Sequence, residues 1–234
     1  MKKPIVITFI ILLFAHTAFA HHFWIEKEGA LYNVFWGHYP EAGPYEPERV
    51  KEVKAFDAKG KAVTLERKNE KDKVCFLSKQ EVSVIMISSE GGFLVTTPEG
   101  KKRITKREAQ KAGAQVIDSV YYSQYAKSLF GYSSAAKKPA GVNFEIVPLE
   151  NPFVLKHGEP LPLKVYFDGK PADSVTVTIN NSKETVKTDK EGTAHVKMSE
   201  KGRQFVVAKK RIPTQNNPDA DYLSFTTVLG FELK

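Results

Sequence analysis

Cysteine is almost absent: Cys75 is the one thiol in 234 residues, and a lone cysteine cannot close a disulfide within its own chain. A disulfide-stapled scaffold is excluded, so a hydrophobic core must hold the fold. Val74, Phe76 and Leu77 flank the thiol, an apolar strand setting in which cysteine packs as a small hydrophobe. Also missing are a glycine-rich phosphate loop, a nucleophile elbow, an H-E-x-x-H pattern and a carboxylate pair at a telling spacing. The familiar nucleotide-binding and hydrolytic chemistries therefore have no footing. After residue 20 no apolar run approaches the roughly 20 residues that a membrane-crossing helix needs. Neither a fixed-period repeat nor a low-complexity tract is present. Charge is only mildly unbalanced, with 35 Lys+Arg against 27 Asp+Glu and a net charge of +8. Apart from Lys101-Lys102-Arg103 the lysines are scattered and no nucleic-acid motif accompanies them, so the excess reads as a solvated surface with no nucleic-acid partner.

What is there begins with Lys2 and Lys3, an apolar run from Ile5 to Phe14, and alanines at 18 and 20. These are the three parts of a secretory signal peptide. Residues 1–20 are expected to be removed, leaving a periplasmic protein that starts at His21 and carries no transmembrane segment.

The rest reads as all-β, in two β-rich domains. From Phe23 to Val142 short segments of period two alternate with turns. Strands are expected at 31–36, 50–56, 62–67, 74–77, 82–88 and 93–97, and the three prolines between Tyr39 and Pro47 predict an irregular loop. Thr105 and Glu108 have capping-box spacing and predict a short helix ending near Gly113. The stretch 116–130 fits either a helix or a strand, its β-branched and tyrosine content tilting toward the strand. Residues 133–140, small and Lys/Pro-containing, read as a linker. The expected division is a metal-binding domain at 21–140 and an immunoglobulin-like sandwich at 141–234, the latter from alternating strands with turns at Asp168-Gly169 and Asn180-Asn181.

Cleavage after Ala20 would place two histidines at the new amino terminus. The α-amine, the His22 backbone nitrogen and the His22 ring could then form fused chelate rings. Such nitrogen ligation suits Ni(II) and Cu(II) better than Zn(II). His38 is the expected further ligand, because antiparallel pairing of 23–26 with 33–36 brings it near residue 21. A second scheme, the histidine brace, uses the amine and ring of His21 itself together with another histidine and is a copper geometry. The metal set is thus His21, His22 and His38, with the order of importance left open between the two schemes. Trp24, Trp36 and Tyr39 could wall the site. His157 lies in a turn and His195 on the polar face of its strand, and both read as surface residues.

Ala20-His21-His22-Phe23-Trp24-Ile25, Phe35-Trp36-Gly37-His38, Asp168-Gly169-Lys170-Pro171 and Thr188-Asp189-Lys190-Glu191-Gly192 together resemble the NikK-like family. These are periplasmic accessory proteins of energy-coupling-factor nickel/cobalt transporters, formerly grouped as a domain of unknown function. The last two motifs also occur in sandwich modules of the carboxypeptidase-regulatory type, so the histidine-bearing half carries the information about metal. The resemblance implies a non-enzymatic protein that captures Ni(II) or Co(II) and supports uptake by a membrane transporter. A copper-binding protein or copper oxidase, and a structural β-module without metal, stand beside it. Histidine at the first position, where the transporter subunits' amine–amide–histidine pattern needs none, keeps the brace in play.

Overall fold

The computed structural model describes residues 21–180 and 182–233, so the expected signal peptide lies outside the described residues. Period-two alternation sends successive side chains to opposite faces, and the chain follows it nearly throughout. The first part supplies β1 (His22–Glu28), β2 (Leu31–His38), β3 (Glu41–Gly43), β4 (Val50–Phe56), β5 (Glu66–Asn69), β6 (Val74–Leu77), β7 (Val84–Thr97), β8 (Gly100–Lys102), the helix α1 (Lys106–Lys111) and β9 (Asp118–Leu129). The second supplies β10 (Phe144–Pro148), β11 (Pro160–Phe167), β12 (Lys170–Pro171), β13 (Thr176–Ile179), β14 (Val186–Lys187), β15 (Thr193–Lys197), β16 (Gly202–Pro213) and β17 (Tyr222–Leu233). The fold is all-β.

Among the described residues three sheets form. One has five strands in the order β1-β2-β6-β5, with β3 added on β2; one has four, β10-β11-β12 with β15 on β11. The third has eight, β14-β13-β16-β17-β9-β7-β4 with β8 on β7. The four-stranded sheet faces β13, β14, β16 and β17 over a core that includes Ile146, Leu161, Leu163, Val165, Val177, Val206 and Leu229, the immunoglobulin-like sandwich of the C-terminal part. The five-stranded sheet closes over β4, β7 and β9 through Phe23, Ile25, Val34, Phe76, Ile85 and Ile87. The expected boundary near residue 140 falls between β9 and β10. The eight-stranded sheet runs through both parts, β17 pairing in parallel with β9 from Tyr222↔Val120 to Gly230↔Ser128.

At that seam lies a buried ion pair. Lys127 of β9 and Glu145 of β10 stand 2.7 Å apart with side chains wholly out of water. The ammonium also donates to the Lys138 carbonyl at 3.1 Å, and the carboxylate accepts from the Ala140 backbone N–H at 2.7 and 2.8 Å. Burial pushes the lysine's pKa down and Glu145 opposes that fall. The pair pins the 133–140 connection to the sheet.

Several expectations are corrected in detail. The segments 82–88 and 93–97 are one strand, β7, bent by an irregularity between Glu90 and Gly92 that lets it continue along β9. The proline-rich loop contains β3 and a 3-10 turn at Pro47–Arg49, because its prolines sit at turn and edge positions where no ladder N–H is needed. The strand expected at 62–67 is displaced to β5, with Ala62 keeping only an isolated bridge to Phe56. The 116–130 stretch is the strand β9, and α1 carries both capping-box hydrogen bonds of Thr105 and Glu108. Cys75 is buried. No helix of the described residues is long and apolar enough to cross a membrane.

Candidate metal centre

The site is built by the first hairpin. β1 and β2 pair antiparallel with His22 opposite Gly37 and Phe23 opposite Trp36, so one step further His21 faces His38, and cross-strand partners share a face. The two imidazole centroids lie 4.2 Å apart at 49°. Trp36 stacks on His21 at 4.5 Å and 24°. His21 is exposed and His38 half-buried, while Nδ1 of His38 is itself buried and has no hydrogen-bond partner among the described residues.

Gln124, in the middle of β9, fixes the backbone at His21. Its Nε2 donates to the His21 carbonyl at 2.7 Å, and its Oε1 accepts from Trp36 Nε1 at 3.2 Å. One side chain therefore sets both the backbone of His21 and the ring beneath it. Sequence reading passed over Gln124; the available signal was one amide among the tyrosines and apolar residues of a long strand.

His22 goes the other way. The strand pleat turns it to the opposite face, where it is 3 % exposed, with Trp24 at 6.0 Å and Phe205 at 5.3 Å. Of the three expected aromatic walls, only Trp36 touches His21. Trp24 and Tyr39 lie on the His22 side, each against Phe205. His157 and His195 are exposed and line a separate cleft of the C-terminal sandwich. The structure thus joins His21 to His38 and parts both from His22.

The turn that carries His38 leaves no room for a side chain at its neighbour. Gly37 has φ +150°, and a Cβ there would come 2.4 Å from the Glu41 carbonyl oxygen. His38 and Glu41 pair across the Tyr39-Pro40 turn, whose peptide bond is cis. Gly37→Ala is expected to cost about 1–3 kcal/mol through this clash and the unfavourable dihedral, read as a lowered midpoint in urea. An unchanged midpoint would show that the hairpin can relax around a methyl group.

Burial lowers the pKa of His21, and the neighbouring His38, Lys101 and Arg103 lower it further. A neutral imidazole is the ligating form, so this environment favours coordination over protonation. Among the described residues no group of three or more His, Cys, Asp and Glu side chains could hold a metal ion. The main-chain nitrogen of His21, an amine if the chain is cut after Ala20, is a donor outside that set of side chains.

Comparison with known proteins adds a family and little else. No curated protein matches. A solved structure, the D0-D1 domain of Intimin, aligns over 86 % of this chain and 89 % of that one at 16 % identity, with a TM-score of 0.24. A family profile described as "Domain of unknown function (DUF4198)" matches residues 18–211. The chain, matched over most of its length and with the His21–His38 hairpin inside the match, belongs to the DUF4198 family.

Proposed function

We propose that this protein is exported, is cut after Ala20, and binds a late first-row divalent ion as cargo through the α-amine and imidazole of His21 and the imidazole of His38. The observation that carries this reading is the 4.2 Å approach of the two rings at the residue whose amine the cleavage would free. Amine and Nδ1 of one histidine close a six-membered chelate ring by covalent connectivity alone, and His38 adds a donor from the opposite strand. Nitrogen donors of this kind suit Ni(II), Cu(II) and, more weakly, Co(II). The resemblance to the nickel/cobalt accessory proteins supports nickel, or cobalt, as the cargo and a membrane uptake transporter as the recipient. The protein's part is then capture and presentation, without catalysis.

The same donors are a histidine brace, so a copper protein is the competing reading, and the His21–His38 pairing is the observation in its favour. Oxygen consumption by the Cu(II)-loaded protein with a reductant would establish an oxidase; Ni(II) binding without such turnover supports capture. The amine–amide–His22 chelate is less well supported, since the His22 ring would have to leave its place against Phe205.

Acid should weaken binding. Because His21 is already held below the ordinary histidine value near 6.5, protons compete mainly at the amine, near pKa ~7.7–8.0. Affinity is expected to fall by about tenfold per pH unit for each proton displaced, from pH ~8 downward, in a titration read by isothermal calorimetry. A flat profile would point to carboxylate ligands. The linkage to folding has the same sense: a histidine whose folded pKa is depressed is protonated more readily when unfolded. Its contribution therefore favours unfolding as the pH drops through about 6.5 and vanishes above it.

A further inference from the structure

Arg49 is the buried arginine among the described residues, and the metal centre does not explain its burial. It ends the 3-10 turn before β4 and is 8 % exposed. Its guanidinium lies over Trp36 at 4.9 Å, Phe23 at 5.5 Å and Tyr122 at 5.8 Å. Its Nε and Nη2 are buried and have no hydrogen-bond partner among the described residues. The nearby Arg67 makes the contrast: it donates to the carbonyls of Pro47 and Val50 at 2.6 and 2.7 Å and to Asn69 at 2.8 Å. The fold supplies acceptors to Nε, Nη1 and Nη2 of Arg67 and none to Nε and Nη2 of Arg49 among the described residues, and buried donors left without acceptors are costly.

Arg49 lines a cleft of about 340 Å³ together with Arg103, Lys71, Glu46 and Asp72. The last four are exposed at its rim, so the buried charge is the cation. Tyr122 spaces the two guanidinium groups: Arg103 Nη1 donates to its hydroxyl at 2.5 Å, and the Arg103 guanidinium carbon lies 6.0 Å from its ring centroid. That ring occupies the place of a side chain at Gly91, where a Cβ would come within 1.7 Å of it. Burial presses hardest against the protonated state of Arg49 and the charge of Arg103 adds to it, while Tyr122, Glu46 and Tyr45 oppose them; an anion in the cleft would add to that opposition.

We propose that the Arg49–Arg103 cleft is a binding subsite for small carboxylates. The planar guanidinium fork matches a carboxylate better than a spherical anion, the aromatic faces hold the fork in orientation, and the volume is that of a small-molecule site. Trp36 lies under both Arg49 and His21, which sets the subsite one ring away from the metal centre. The carboxylate can therefore arrive free or as the organic ligand of an incoming metal ion. Only the second source rests on the metal-binding reading.

The test is calorimetry on the folded, metal-free protein with succinate and citrate, against sulfate and chloride at the same ionic strength. One-site citrate binding is expected, weakened roughly 10–100-fold in Arg103→Gln and in Arg49→Lys, as for hydrogen bonds between charged groups. Arg103 is exposed, so its variant keeps the question open to refutation if Arg49→Lys folds poorly. His38→Ala should leave citrate affinity unchanged, which separates failure of the metal centre from failure of the subsite. Tighter binding of Ni(II)–citrate than of citrate, with the citrate contribution lost in Arg103→Gln, identifies the metal-borne source, and equal binding lost in that variant the free one; both uphold the subsite. No citrate heat above the chloride control, sulfate bound as tightly as citrate, or full affinity in Arg103→Gln would each overturn it.

Discussion

Glu145→Leu is expected to lower the unfolding free energy by roughly 3–5 kcal/mol, a fall in Tm of roughly 6–20 °C for a chain of this size. The substitution leaves the Lys127 ammonium in a place with no water, its surviving acceptor the Lys138 carbonyl. It also removes the acceptor of the Ala140 N–H, so the connection between β9 and β10 loses its anchor. Lys127→Met strands the carboxylate instead, which the Ala140 N–H partly satisfies, and should cost less. Replacing both, Lys127→Met with Glu145→Leu, should recover most of the loss, because a buried pair stabilises little compared with an apolar pair of similar volume. Urea denaturation of the three variants measures this. Equal stability in Glu145→Leu and the unchanged protein would mean that water reaches the pair.

The second large effect is on metal. His21→Ala removes a ring and its chelate, and His38→Ala removes the donor on the opposite strand; each should weaken Ni(II) and Cu(II) beyond the roughly 10–100-fold that even outer-shell changes produce. His22→Ala should leave metal affinity close to unchanged and cost about 1–3 kcal/mol of stability, because its ring fills space against Trp24 and Phe205. The two readouts move in opposite directions for the two neighbouring histidines, so general damage to the hairpin cannot imitate the pattern. Loss of binding in His22→Ala with His21→Ala intact would restore the amide chelate.

Much of this was legible from residues alone. The alternation of Leu161, Leu163 and Val165, or of Val175, Val177 and Ile179, fixes a strand and its buried face without any tertiary information. The pairing of 23–26 with 33–36, and with it the meeting of residues 21 and 38, followed from two short strands joined by a tight turn. Which of His21 and His22 faces His38 depends on the pleat register, and a shift of one residue exchanges the faces; adjacent histidines give no pattern that decides it. The parallel pairing of β9 with β17 joins residues about a hundred positions apart, beyond the reach of local periodicity. Gln124 and Arg49 owe their roles to what surrounds them: an amide under His21, and a guanidinium among three rings whose Nε and Nη2 have no acceptor among the described residues. Neither has a motif.

The central claim is that the free amine of His21 and the rings of His21 and His38 hold the ion together, and one titration tests it most directly. Protein whose amino terminus is confirmed by mass as His21 is compared with protein carrying one additional methionine before it, using Ni(II) and Cu(II) at pH ~8, where an amine of pKa ~7.7–8.0 is about half or more unprotonated. Both forms keep the two imidazoles, so only the position of the amine differs. The native-start protein should bind one ion tightly, and the extended one should lose most of that affinity. Equal affinity in the two forms would contradict the claim.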